Sequence, residues 1–182
     1  MDLLVLSDTP QRYPGCCLSL SNELLNHLGS LFKNHAKSGL ILSIGSGTGL
    51  LEELLHAHLN KEPNCKLRVE GVEVPSTNIH LPEDRINVVN GTWAICRRAA
   101  DSVALVFVYP RSAELVNSYV DSFLQKPGYV KLALWLGPKA DWEEFAACFR
   151  VPGFEVEELQ DGCGLVEYEM MTVLRQPKIQ SL

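Results

Sequence analysis

The sequence predicts an α/β three-layer sandwich, built on a mostly parallel seven-stranded sheet that ends in an antiparallel hairpin. Two observations lead to this fold class. Short, almost wholly apolar runs alternate along the chain with amphipathic helices or loops, as is typical of strands buried on both faces of a parallel sheet. Near the end of the chain, two strand-like runs are separated only by a turn that contains glycine, which indicates a hairpin.

The first half of the chain is expected to supply three strands and two helices. An irregular segment over residues 1–19 precedes Ser21, which we expect to cap an amphipathic helix over residues 22–36. A second helix follows residue 49 and ends before Pro63, and the residues between 75 and 85 are too broken for a full helix. The predicted strands of this half lie at 40–44, 67–74 and 86–89, each of them buried.

The second half is expected to complete the sheet. One or two helical turns over residues 92–100 lead to a fourth strand at 102–109, a helix at 113–125 and a fifth strand at 130–136. Asp141 is expected to cap a further helix over residues 142–149. The closing hairpin has strands at 154–159 and 166–174, joined by a turn at 161–164.

Composition and charge limit the class of protein. The 182 residues, 46% hydrophobic and 21% charged, suit a single domain over 1–182, with an N-terminal segment and helix at 1–37 and a core at 38–177. A net charge of −6 argues against a nucleic-acid partner, and no apolar stretch reaches the roughly 20 residues that span a membrane. Six cysteines without a C-x-x-C pair, and an apolar start without a basic flank, favour a cytoplasmic protein with reduced thiols and no metal.

A glycine cluster at residues 45–49 follows the first predicted strand and precedes a helix. Glycine lets a ligand approach the backbone because no Cβ blocks it, and the start of a helix offers free amide groups. Leu50 stands where the dinucleotide fingerprint G-x-G-x-x-G needs its last glycine, and the lysine of a P-loop is missing. The cluster therefore predicts a ligand site of another kind.

The segment Leu-Ile-Leu-Ser-Ile-Gly-Ser-Gly-Thr-Gly at residues 40–49 resembles motif I of the class I S-adenosylmethionine-dependent methyltransferases. In that motif an apolar strand, an acidic residue and one apolar residue precede G-x-G-x-G. The resemblance implies S-adenosylmethionine as cofactor, bound at residues 45–49, with Gly45, Gly47 and Gly49 close to its methionine part and ribose and with Ser46 between them. It also implies that the C-terminal hairpin places a strand antiparallel beside the fifth.

A second match to this family lies at residues 71–74, Gly-Val-Glu-Val. The family commonly places an acid at the end of the second strand, so the resemblance implies that the Glu73 carboxylate holds both ribose hydroxyls. Such charged hydrogen bonds are the strong ones. Val74 would then flank the adenine. The alternative is a solvated glutamate at the end of a strand.

Further candidate residues follow from the same resemblance. After the third strand, Thr92 stands where the family often has an acid that meets the adenine amino group, and Trp93 could cover the adenine ring or simply lie in the core. At the end of the fourth strand, Tyr109 and Arg111 flank Pro110 and could orient cofactor or substrate. This sequence is not the Asn/Asp-Pro-Pro-aromatic motif, so the amine-methylating subclass is not supported. Tyr13 and His80 are additional candidates for substrate contacts.

The main departure from the family pattern is Ser43, which stands where motif I has its acid and brings no charge. No general base is evident either, because the five histidines are scattered; His56 and His58, two residues apart, do not share a helix face. Two hypotheses remain open. One is a methyltransferase that acts on a small molecule. Such a protein could form a homo-oligomer or bind a partner chain that completes the site. The other is a non-methylating member of the fold: a binding or regulatory subunit, or an enzyme of another reaction type.

Overall fold

A computed structural model of the protein describes residues 4–125, 128 and 130–177. Residues 1–3 and 178–182, which belong to the predicted single domain, lie outside these described residues, as do 126, 127 and 129. A single sheet organises the chain. Its strands are β1 Ser38–Ile44, β2 Lys66–Glu73, β3 Ile86–Val88, β4 Ser102–Val108, β5 Leu132–Pro138, β6 Glu155–Leu159 and β7 Glu169–Arg175.

The strand order in this sheet is β3-β2-β1-β4-β5-β7-β6. Neighbours among β1 to β5 pair in parallel, whereas β7 lies antiparallel between β5 and β6. The predicted mostly parallel sheet with a terminal antiparallel hairpin is confirmed. The chain moves outward in opposite directions from β1 and from β4, so the strand order reverses between these two central strands. In open α/β sheets, ligands bind outside the carboxyl ends of the strands at such a point.

Helices cover both faces of the sheet and so form the predicted three layers. They are α1 Asn22–His35, α2 Leu50–Leu59, α3 Ala113–Phe123 and α4 Trp142–Phe145. The leucines of α1 and α2 pack on one face together with residues from the N-terminal segment, and α3 and α4 pack on the other. Ser21 caps α1 as predicted, since its hydroxyl accepts a hydrogen bond of 3.0 Å from the amide of Leu24. None of the helices in the described ranges has the length and apolar character needed to cross a bilayer.

One local prediction is wrong, and two are confirmed only in part. The third strand is not buried: β3 pairs only with β2 at the edge of the sheet, and Val88 is 59% exposed. The one or two helical turns predicted over 92–100 are present as a 3-10 helix that begins later, at Arg97–Asp101. The helix predicted over 142–149 is reduced to α4 between two 3-10 turns, and the side chain of Asp141 makes no capping hydrogen bond.

A polar cluster covers β2 on the face that α3 and α4 cover elsewhere. The buried carboxylate of Glu70 accepts hydrogen bonds from Arg68 on its own strand, from Asn87 on β3 and from Arg98 on the 3-10 helix. Burial alone would raise the pKa of Glu70, but the hydrogen bonds from Arg98, Asn87 and Arg68 outweigh it and lower the pKa to about 2. This cluster fixes β3 beside β2 and thereby the edge of the sheet near the glycine loop.

Candidate functional site

The glycine loop leaves the carboxyl end of β1 and turns back into α2. The amides of Gly45 and Ser46 both donate to the carbonyl of Val72, at 2.9 and 3.1 Å, which fixes the start of the loop against β2. Gly45, Gly47 and Gly49 have φ angles of 75°, 56° and 81°. These left-handed values cost an L-residue with a side chain roughly 1–2 kcal/mol, so the conformation of the loop itself favours glycine at all three positions.

The three glycines differ in what lies above them. A Cβ added to Gly45 would meet nothing within 4 Å, and one added to Gly47 would meet only the carbonyl oxygen of Gly15, at 3.8 Å. A Cβ on Gly49 would instead collide with the side chains of Leu81 and Asn78. The first two glycines therefore leave space for a ligand, whereas Gly49 lets the segment after β2 pack against the start of α2.

A cavity of about 280 Å³ opens above this loop, at the carboxyl ends of the central strands. Its size is near the lower end of the range for small-molecule pockets, roughly 300–1,000 Å³. The structure brings together on its lining most of the residues that the sequence indicated: Gly45, Ser46, Gly47, Glu73, Val74, Thr92, Tyr109 and Arg111.

Glu73 connects the end of β2 to the glycine loop. One oxygen of its carboxylate accepts a hydrogen bond of 2.9 Å from the amide of Gly47, and the other accepts one of 2.8 Å from the amide of Val74. The side chain is half-buried, so it is not a freely solvated strand-end glutamate. Each carboxylate oxygen retains a second lone pair that could accept a hydroxyl of a ligand.

Glu52 is a cavity residue that the sequence reasoning missed. It lies on the first turn of α2, is 3% exposed, and lines the cavity. The hydroxyl of Ser43 donates a hydrogen bond of 2.6 Å to Glu52 Oε1. The signal was present, because Leu55 and Leu59 follow at helical spacing and place Glu52 on the inner face of α2. Ser43 thus does not line the cavity itself but holds a carboxyl group that does.

Tyr109 lies at the cavity with its hydroxyl turned away towards β7. Its φ of 47° is unusual for a residue with a side chain. The hydroxyl donates a hydrogen bond of 2.6 Å to Glu169, a fully buried carboxylate that also accepts from the amide and hydroxyl of Ser19. Burial and this hydrogen bond raise the pKa of Tyr109 well above its ordinary value. Its ring is therefore a wall of the cavity, and its hydroxyl anchors the N-terminal segment.

The N-terminal segment lies over the open side of the glycine loop. Gly15, Cys16 and Cys17 line the cavity, and the hydroxyl of Thr48 donates a hydrogen bond of 3.0 Å to the carbonyl of Gly15. Burial raises the pKa of Cys16 to about 12, so its thiol stays protonated and unreactive at neutral pH. Arg111 is exposed at the cavity and is the only basic side chain among the described residues that line it.

Five candidate residues do not line the cavity within the described part of the chain: Ser43 and Gly49, whose contacts are given above, and Trp93, His80 and Tyr13. Trp93 is 78% exposed and stacks over Gly91, so the interpretation of Trp93 as a core residue is wrong. His80 lies outside the cavity, where its amide donates to the carbonyl of Thr48. Tyr13 packs against the core on the α1 and α2 face. Among the described residues, no group of three or more His, Cys, Asp or Glu side chains could hold a metal ion.

Comparison with known proteins gives no sequence relative but several structural ones. No protein-family model matches the sequence, and no curated protein sequence matches it significantly. The methyltransferase domain of bacterial CtHen1 superposes with a TM-score of 0.56 at 17% identity, covering 84% of this chain and 97% of that one. An S-adenosylmethionine-dependent methyltransferase from Aquifex aeolicus gives 0.55 at 11% identity, with 85% and 92% covered. Cofactor-bound Rv0187 from MTB gives 0.60 at 12% identity, with 90% and 84% covered.

Sequence identities this low are evidence for a shared fold alone. The strand order of the sheet agrees with that fold. The sheet agrees with the apolar runs in the sequence, and the loop after β1 and the antiparallel β7 beside β5 are the features that the resemblance to the family led us to expect. The chain has the fold of the class I S-adenosylmethionine-dependent methyltransferases.

Proposed function

We propose that this protein is a methyltransferase that binds S-adenosylmethionine in the cavity above the glycine loop. One observation carries the proposal. At the point where the strand order reverses, two glycines of the loop leave open space, and the Glu73 carboxylate is held across the loop from the end of β2. A backbone that a ligand can approach and a carboxylate beside it suit a ligand that carries a ribose diol.

The polar atoms of the cavity fit this cofactor. Two buried side-chain oxygens on the lining, Ser46 Oγ and Glu52 Oε2, have no hydrogen-bond partner among the described residues. Buried polar groups are normally paired, so unpaired ones beside a cavity are suited to a polar ligand. Glu73 would hold the ribose, Val74 and Thr92 would border the adenine, and the segment 45–47 would lie under the methionine part.

When bound, S-adenosylmethionine supplies an activated methyl group, and the task of the protein is to align an acceptor with it. Holding two reactants in the correct geometry is worth up to roughly 7–11 kcal/mol of the barrier, so a good nucleophile needs no strong base. Tyr109 would form the wall beside the acceptor, and Arg111 would orient it. The acceptor is proposed to be a small molecule. The cytoplasmic location, the single domain over 1–182 and a homo-oligomer or partner chain stay predictions from the sequence.

A second candidate function is binding of the same cofactor without methyl transfer. Two of the acidic groups on the lining, the Cys16 thiol and the Tyr109 hydroxyl, have raised pKa values and stay protonated at neutral pH. An acceptor that needs deprotonation would find no help from them. This candidate predicts cofactor binding with no turnover of any acceptor.

The test is the affinity for S-adenosylmethionine of the wild-type protein, Glu73→Gln and Glu143→Gln, measured by equilibrium dialysis. Glu73→Gln keeps the shape of the side chain but removes its charge, and charged hydrogen bonds contribute about 1.5–3 kcal/mol, so affinity should fall about 10- to 100-fold. Glu143 is an exposed glutamate of α4 away from the cavity, and its variant should bind as the wild type does. Equal affinity in all three proteins would remove Glu73 from the proposed site.

A further inference from the structure

Only one of the two carboxyl oxygens of Glu52 has a hydrogen-bond partner among the described residues. Its Oε1 accepts the hydrogen bond from Ser43, whereas its Oε2 is buried and has no partner within the described ranges. Burial, opposed in part by the hydrogen bond from Ser43, raises the pKa of Glu52 to about 7. A carboxyl group at this position is therefore distributed between its neutral and charged forms near neutral pH.

The surroundings of Glu52 offer no cation that would compensate its charge. From the N-terminal segment it faces Cys16, from β1 Ser43, and from the end of β2 the negatively charged Glu73. On the cavity lining the only basic residue that the structure describes is Arg111, and none of the ion pairs found among the described residues includes Arg111 or Glu52. Both carboxylates of the cavity thus face a space in which a ligand would provide the positive charge.

A purely structural role does not explain this arrangement. Leucines occupy the neighbouring inner positions of α2, and an apolar side chain at position 52 would pack there without the cost of burying a carboxyl group. A buried polar group that only stabilises a fold normally has its hydrogen-bonding capacity filled by the protein. In Glu52 one oxygen is fixed by Ser43, so the orientation of the carboxyl group is set while its other oxygen stays available.

We propose that Glu52, held in place by Ser43, binds the α-ammonium group of the amino-acid part of the cofactor. The inference rests on the proposed function, and it adds a ligand contact on α2 at the site where Ser43 brings no charge of its own. Among the groups of S-adenosylmethionine that can donate a hydrogen bond, the neutral ribose hydroxyls suit the half-buried Glu73, whose oxygens already accept from two amides. The ammonium group suits Glu52, because a buried carboxylate gains most from a partner that carries a full positive charge.

Binding of a cation at Glu52 favours the ionised carboxylate, so the protein should release a proton when it binds below neutral pH. The affinity for a ligand with an ammonium group should therefore rise on the order of tenfold between pH 5.5 and pH 7, as Glu52 becomes ionised. Cys16 stays protonated over this range. A ligand that contains the adenosine part without the amino acid should show no such rise.

The experiment compares two probes, S-adenosylhomocysteine and 5′-methylthioadenosine, which share the thioadenosine part but differ in the amino-acid part. Each is titrated calorimetrically into the wild-type protein, Glu52→Gln and the exposed control Glu143→Gln. We expect Glu52→Gln to weaken S-adenosylhomocysteine about 10- to 100-fold and to abolish its pH dependence. Binding of 5′-methylthioadenosine should be unchanged, which also shows that the variant is folded.

Each other outcome is decisive. If the wild type binds neither probe, the proposed function fails and the role of Glu52 fails with it. If the wild type binds both and Glu52→Gln leaves the ratio of the two affinities unchanged, the proposed function stands and Glu52 is not the ammonium site. If Glu52→Gln does not fold, the wild type decides: a rise in affinity with pH for S-adenosylhomocysteine alone supports the proposal, and equal profiles for both probes overturn it.

Discussion

Replacing Glu70 with glutamine should make the protein less stable at neutral pH, and less so in acid. The Glu70 carboxylate is buried at the sheet and accepts hydrogen bonds of 2.8 Å from Arg68, 3.1 Å from Arg98 and 3.0 Å from Asn87. A glutamine has nearly the same shape. However, glutamine carries no charge, and its side-chain NH2 group would face the hydrogen-bond donors of Arg68, Arg98 and Asn87, which donate to the carboxylate in the wild type.

The magnitude follows from the pKa of Glu70, which is about 2 in the folded protein against an ordinary value of 4.5. That gap corresponds to roughly 3 kcal/mol. Arg68 and Arg98 are 41% and 45% exposed, and solvent screening reduces the contribution to about 1–3 kcal/mol. Because the pKa is depressed on folding, this stability is present in full above about pH 4.5 and is lost as the pH falls towards 2.

Urea unfolding of the wild type and Glu70→Gln at pH 7 and pH 3 measures the effect, with Glu143→Gln as the control for loss of an exposed carboxylate. We expect the variant to be about 1–3 kcal/mol less stable at pH 7, and the difference to shrink by about half or more at pH 3. Equal stabilities at pH 7, or a difference that does not change between the two pH values, would refute the assignment of this stability to the charge of Glu70.

Two further variants test the loop and the cavity wall. Gly47→Ala and Gly153→Ala both place an alanine at a left-handed φ with no close neighbour, so each should lower the free energy of unfolding by about 1–2 kcal/mol. Only Gly47→Ala should weaken the binding of S-adenosylhomocysteine in a titration. Equal binding by the two would show that no ligand approaches Gly47. Tyr109→Phe removes the hydrogen bond to the Glu169 carboxylate and should lower the melting temperature by about 3–10 °C, since a hydrogen bond to a charged group contributes about 1.5–3 kcal/mol. Binding of S-adenosylhomocysteine should stay within a few-fold of wild type, and a large loss would place the hydroxyl itself at the ligand.

The sequence was most informative where one local pattern decides the structure. Apolar runs located β1, β2, β4 and β5, because central parallel strands are buried on both faces and tolerate few polar residues. The short turn near the end of the chain located the hairpin. The edge strand β3 was placed correctly along the chain but judged buried, since whether a strand has a second neighbour depends on strand order.

The sequence predicted the glycine loop of the candidate site, but it did not predict which side chains contact one another around that loop. The spacing of Gly45 and Gly47 indicated the approach of a ligand, and the open space above them agrees with it. Glu52 was overlooked because its importance depends on Ser43 and on the cavity beyond it, which meet only in the folded chain. Trp93 could not be placed from its residue type, because a tryptophan in a loop packs wherever the backbone leaves a surface, here over Gly91.

A crystal structure of the protein grown with S-adenosylhomocysteine tests the central claim most directly. We predict that the ligand lies in the cavity above residues 45–47, with its ribose hydroxyls on Glu73 and its ammonium group within hydrogen-bond distance of Glu52. Density for the ligand elsewhere on the protein, or a cavity without it at saturating ligand, would contradict the account.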